Sequence, residues 1–403
     1  MRVEMKSKNI LILPLIGLSL SFALVSCNDD DPVDNDPIVT GNVIVNQNIT
    51  SNTTWTSDKV YQLAGRIAVV SGATLTIEAG TIIKGEAGTG ANATALLIAR
   101  GGRLIAEGTA DAPIIFTSVA DEISPEDIAA GNFGSPNLDP DINGLWGGLI
   151  ILGKARISAS NTSGDLTEVQ IEGIPTSDAN GLYGGNDDAD DSGIIKYISI
   201  RHGGSNIGSG NEINGLTLGG VGSGTVIENV EVVSNQDDGI EWFGGAVNVK
   251  NVVVWNVGDD AIDTDQSWSG TLENFVVVTP AGHCFELDGP EGSYQGGHTI
   301  KTGTIVASNE DRQSEDLINV DANSIVDLQG LHFTGIADGQ KINRVTAAGV
   351  TFTNITLDVP ADSLANHVNG AVPAGVTAGG NPQANTSVFS WTWAAQAGQL
   401  TGL

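Results

Sequence analysis

Beyond residue 50, apolar and polar positions alternate in short runs. Thr74-Leu75-Thr76-Ile77 and Leu104-Ile105-Ala106 set the pattern, and GRIAVV, ALLIARGGRLIAEG, PIIFTS and GGLIILGKARIS continue it between glycines and asparagines. A period of two bounded by turn residues predicts β-strands, and helical periodicity is nearly absent. One short helix is expected, opened by Ser124 as cap and Pro125 at its first position.

The strands recur. IENVEVVSNQDDGIEWFGG (227–245), VKNVVVWNVGDDAIDTDQSW (249–268) and LENFVVVTPAGHCFELDGP (272–290) align on Asn229, Asn251 and Asn274. Asp237-Asp238 and Asp259-Asp260 are 22 residues apart, and His283 lies 24 beyond Asp259. A period in the low twenties built from three short strands is the rung of a parallel β-helix. The expected fold is therefore all-β: a single-domain right-handed parallel β-helix of roughly a dozen rungs, stacked at about 4.8 Å. Its open ends need caps against edge pairing. Residues 41–63 are expected to cover the first rung. The segment 386–403, where Phe389, Trp391 and Trp393 alternate, is expected to close or flank the last. Two loop insertions, 120–144 and 181–193, interrupt the stacking and project from it.

The amino-terminal end follows a different pattern. Arg2, Lys6 and Lys8 precede an apolar run from Ile10 to Val25, which ends in Leu24-Val25-Ser26-Cys27. The run is short for a membrane span and contains a proline. It predicts a signal peptide over 1–26. Its ending resembles the lipobox of bacterial lipoproteins, which implies lipidation of Cys27 and a hold on the membrane by acyl chains. Asn28, Asp29, Asp30 and Asp31 resemble the acidic tag that exports some Gram-negative lipoproteins to the outer face of the outer membrane. Residues 27–50 then form a flexible acidic tether, leaving 51–385 for the β-helix.

Composition narrows the partners. With 48 acidic against 17 basic residues and a formal charge of −31, no basic stripe is available for phosphates, so a nucleic-acid partner is excluded. The 53 glycines follow no G-X-Y period, which excludes collagen and fits many tight turns. Cys284 has no intrachain disulfide partner once Cys27 is lipidated.

Taken together, VVSGATLTIEAGTIIKG, LLIARGGRLIAEGTADAPIIFTS, GLWGGLIILGKA, YISIRHGG, DDGIEWFGG and GDDAIDTDQSW resemble a family of bacterial right-handed β-helix surface lipoproteins, over about residues 60 to 395. The resemblance implies a fold and a surface address, with no assigned enzymatic activity. Some members are encoded beside TonB-dependent transporters, which implies an outer-membrane protein complex as partner. The resulting expectation is a non-catalytic accessory or binding subunit.

Three motifs carry no weight. GLIILGKA approaches a phosphate loop, but strand continues on both sides of it; IRHGG and GGVGSG lack the α/β context their chemistry requires. The acids are the stronger rivals. Asn235-Gln236-Asp237, Gly258-Asp259-Asp260 and Gly282-His283-Cys284 are similar in order to the stacked site of polygalacturonase-type hydrolases. That resemblance implies glycan binding or cleavage with Asp237, Asp259, Asp260 and His283 as catalytic candidates. Cys284 stands where a glycine belongs, and no Arg-x-Lys follows. The other chemistry is metal. Asp263 and Asp265 should point the same way from one strand, with Glu286 and Asp288 repeating them one rung on and Glu241 preceding them. Such a ladder of carboxylates suits Ca²⁺. Asp187, Asp188, Asp190 and Asp191 form a second candidate. An adhesin or surface-structure protein is the remaining alternative.

Overall fold

The computed structural model describes residues 41–207 and 213–403. Cys27, the signal segment and most of the tether lie outside the described residues. The chain is a right-handed parallel β-helix with three faces. Strands such as Thr74–Ile77 and Arg103–Glu107 build the first face, and Ile82–Gly85 and Ile114–Ser118 build the second. From Gly193–Arg201 onward one long strand serves both. Its Gly193–Lys196 half pairs with Leu104–Glu107, and its Ile198–Ile200 half pairs with Ile114–Phe116. An eight-stranded parallel sheet, from Arg66–Val69 to Asn319–Val320, forms the third face.

The bend between the first two faces explains the asparagines of the repeat. Tyr197, Asn229, Asn251, Asn274, Thr302, Gly330 and Asn354 all sit there at positive φ, between 50° and 63°. Asparagine tolerates this left-handed backbone better than most residues. It also stacks: Asn251 Nδ2 donates to Asn229 Oδ1 at 3.0 Å, and Asn274 Nδ2 donates to Asn251 Oδ1 at 2.7 Å. A second left-handed corner, His202, Ser234, Asn256 and Thr279, turns each rung off the second face.

Inward side chains form one continuous core along the rod, including Leu75, Leu104, Ile195, Val230, Val252, Phe275 and Leu331. Trp242 stacks on Trp268 with ring centroids 4.6 Å apart, and Phe275, Phe285 and Phe333 meet edge to face. Cys284 belongs to this core and lies 3.4 Å from Ser314 Oγ. Burial pushes its thiol up to about 12, which leaves it a packing residue.

Several boundaries differ from the sequence expectation. The helix starts before residue 51: Val43–Val45 pairs with Tyr61–Leu63, and Ile49 bridges to Val69. The second insertion is longer than 181–193. It fills 153–192 with two small antiparallel pairs, Ala159–Asn161 with Gly164–Leu166 and Val169–Gln170 with Leu182–Tyr183. ARIS, expected as strand, lies in it as irregular chain between residues 155 and 158. The first insertion does carry the short helix Pro125–Ala129, and Ser124 and Asp127 close a capping box there.

The aromatic segment 386–403 does not close the last rung. From Val376–Ala378 the chain runs back along the outside of the second face, where Phe389 and Trp393 cover Val233, Val253, Trp255, Val276 and Val278. Those valines point outward from the core, and a strand apolar on both sides must be covered on both. Val359, Leu364 and Val372, which follow the last long strand, pack against the core instead.

Candidate functional site

Each rung enters the third face through one corner residue, and the corners stack as Asn214, Asp238, Asp260 and His283. The glycines or alanine after them lock the register: Gly215 N donates to Asp238 O at 2.9 Å, Gly239 N to Asp260 O at 2.9 Å and Ala261 N to His283 O at 3.1 Å. The corner carboxylates point along the rod. Asp238 Oδ1 accepts from the Asp260 amide at 2.9 Å. Asp260 Oδ1 accepts from the His283 amide and lies 3.0 Å from His283 Nδ1. Asp316 does the same for the Lys341 amide at 2.6 Å. These aspartates staple one rung to the next by side-chain-to-backbone hydrogen bonds. His283 thus stands in register with Asp260, not with Asp259.

The strands that follow carry the acid ladder. Ile240, Ile262 and Phe285 stack inward, while Glu241, Asp263, Glu286 and Asn319 align outward in one register row. Asp265 lies across from Phe243 in the next outward row, and Asp288 follows it. Alternation therefore places Asp263 and Asp265 on the same side, as their spacing suggests.

Burial is what the sequence does not show. Ile157, Ile171, Ile174 and Tyr183 of the long insertion pack on the outside of the third face, against Leu97, Ile150, Leu152 and Phe243. The acid row begins where this cover ends. Glu241 is only 6% exposed, Asp238 7% and Asp260 2%. Asn214 Nδ2 donates to Glu241 and reaches Glu172 Oε1, from the insertion, at 3.5 Å. Glu172 and Asn214 escape the sequence reading for different reasons. Glu172 is brought in by a loop, whereas Asn214-Gly215 precedes its strand as Asp238-Gly239 does and was legible in principle.

Burial first, then neighbouring carboxylates, push Asp238, Glu241 and Asp263 well above the usual carboxylate range. The same causes raise Asp265 to about 7, Glu286 to about 8 and Asp288 to about 6. Burial alone would lower the His283 imidazole, but the Asp260 hydrogen bond and charge, with Glu286 and Glu315, raise it to about 9.

Three sets bring their ligand atoms within 4.8 Å of one another: Asp237, Asp238 and Asp259; Asp238, Glu241 and Asp263; and Asp260, His283 and Glu286. The acids of 187–191 do not converge. Arg156 Nε donates to Asp188 at 2.7 Å, Arg103 pairs with Asp191 at 2.8 Å, and Lys154 stands 3.9 Å from the buried Asp190. Asp187 accepts from the Ala189 amide. Of the four hydrolase-like candidates, Asp260 and His283 are bound to each other. One oxygen of Asp237 and one of Asp259 lie within 4.8 Å of each other, which is nearer the roughly 5–5.5 Å of a retaining pair than the roughly 6.5–9.5 Å of an inverting one. Where the hydrolase-like order would place an Arg-x-Lys, the chain has Arg312, whose Nη1 donates to Val257 O at 2.9 Å.

Residues 47–396 match the family described as pectate-lyase like β-helix domain. Among curated proteins and among solved structures nothing matches.

Proposed function

We propose, from the premise that this chain belongs to the pectate-lyase-like β-helix domain family, that it is a non-catalytic binding scaffold of the outer-membrane surface. In this reading acylated Cys27 anchors the rod, the acidic tether carries it to the outer face, and the rod serves as accessory subunit of an outer-membrane complex, a TonB-dependent transporter being the partner the sequence resemblance implies. One observation carries the non-catalytic part. Of the hydrolase-like candidates, Asp260 and His283 are spent on the rod itself, Asp260 holding both the amide and the ring of His283. Asp260 is also buried, 2% exposed, whereas a general acid or base needs access to its substrate. The lipobox and the acidic residues after Cys27 support the address.

Purification of the full-length lipidated protein from its own outer membrane in mild detergent tests this. A stoichiometric outer-membrane protein in the preparation is expected. Recovery of the chain alone, or in self-associated arrays, would favour the adhesin reading instead.

A further inference from the structure

Of the acids on the third face, Asp238, Glu241 and Asp263 stand apart. His283 lies against Asp260, and Arg103, Arg156 and Lys154 serve the acids of the insertion. Among the described residues no salt bridge reaches Asp238, Glu241 or Asp263, although one oxygen of each lies within 4.8 Å of the others. Three carboxylates at that separation repel strongly where water is scarce. Two further atoms point to what relieves them. Asp263 Oδ1 is sealed from solvent and has no hydrogen-bond partner. Asn214 is 1% exposed and reaches into the cluster through Nδ2, and its Oδ1 likewise has no donor.

We propose that Asp238, Glu241 and Asp263, with Asn214 as a neutral oxygen donor, form a calcium site on the outer side of the third face. Every donor is a hard oxygen, which selects an alkaline-earth cation over the softer transition metals. Ca²⁺ accepts six to eight oxygens in flexible geometry, from mono- or bidentate carboxylates, whereas Mg²⁺ keeps most of its waters and suits a half-covered shelf of three acids poorly. The binding geometry uses what the staple leaves over: Asp238 gives Oδ1 to the Asp260 amide and keeps Oδ2 for the ion. A half-turn of the Asn214 amide brings Oδ1 to the side where Nδ2 now meets Glu241. Asp238, Glu241 and Asp263 come from two successive rungs and Asn214 from the one before, so the ion would tie three rungs together beside the insertion. The site is independent of any partner at the membrane.

The test uses the full chain in detergent, stripped with EGTA and titrated with CaCl₂ by calorimetry, alongside thermal unfolding with and without Ca²⁺. One bound calcium per chain and a raised Tm are expected. Asp263→Asn should weaken binding at least about tenfold, the scale on which metal sites respond to altered ligation. Its effect on Tm should also change sign: a rise in EGTA, where a repelling charge is removed, and a fall with Ca²⁺, where a ligand is lost. That reversal distinguishes a ligand from a residue that merely packs. Glu241→Gln should behave alike, and Asp187→Asn should bind as the parent does. Absence of stoichiometric binding, binding unchanged in Asp263→Asn, or an equal Tm shift in both conditions would overturn the site. Loss of binding in Asp187→Asn alone would move the ion to the insertion and overturn it equally.

Discussion

Replacing Asn251 with alanine isolates what the asparagine corner contributes. Asn251 stands in the middle of the stack, giving Nδ2 to Asn229 and taking Nδ2 of Asn274, at 3.0 and 2.7 Å. Asn229 and Asn274 are themselves buried, so water replaces the lost partners poorly. Two hydrogen bonds at about 1 kcal/mol each give about 2 kcal/mol. Asn251 also holds φ at +58°, and a residue with a β-carbon but no local hydrogen bond costs about 1 kcal/mol more there. Asn251→Ala should therefore lose about 3 kcal/mol. Asn251→Gly removes the same hydrogen bonds but accepts the backbone freely, and its greater freedom when unfolded returns part of that gain. It should lose somewhat less than alanine. Urea unfolding followed by circular dichroism reads both through the midpoint at constant slope. A loss below about 1 kcal/mol for Asn251→Ala would refute the reasoning, because the ladder would then be a consequence of stacking and not a contributor to it.

Other regions give independent tests. His298 is buried against Trp268, 4.8 Å between ring centroids, and burial lowers its pKa to about 3. Its folded pKa lies below its unfolded one, so the protein keeps this stability above pH 6.5 and loses it as pH falls from there toward 3, at about 1.4 kcal/mol per unit. Between pH 7 and 5 the parent should lose about 2 kcal/mol more than His298→Phe, a difference read from urea midpoints at the two pH values. Asp260→Ala should cost about 2 kcal/mol by freeing the partly buried His283 amide. It should also drop the His283 pKa by at least about one unit in an NMR titration, since its main positive contributor is gone. Ala394→Pro removes the amide that donates to the fully buried Glu231 at 2.9 Å. Proline is sterically acceptable in a first helical turn, so the expected loss of about 2 kcal/mol in the same assay reports the lost hydrogen bond to a charged group.

The parts of the fold that were legible in the sequence are the local and repeating ones. Asn229, Asn251 and Asn274 mark a corner because each needs the same left-handed backbone, and Asp263 and Asp265 share a side because strands alternate. Side chains that face outward were harder to place. VEVV, VVVW and FVVV read as strands, but their near-continuous apolar character also meant that both sides are covered, and this is why Trp393 runs back over the second face and leaves the last rung to Val359, Leu364 and Val372. Long-range pairs were out of reach. Nothing in GGNDDADDSG announces that Arg156 and Arg103, 32 and 88 positions earlier, take Asp188 and Asp191. The paired aspartates of GDD invited a catalytic reading, and nothing in the sequence shows that Asp260 turns its carboxylate onto the amide and ring of His283.

The measurement that bears most directly on this account is release of reducing ends from acidic and neutral polysaccharides by the full-length protein, in saturating Ca²⁺ and in EGTA. No release above background is predicted in either condition, because Asp260 is buried and engaged with the amide and ring of His283 on the next rung. Release from any substrate that Asp259→Asn or Asp260→Asn abolishes, in a variant that remains folded, would contradict it.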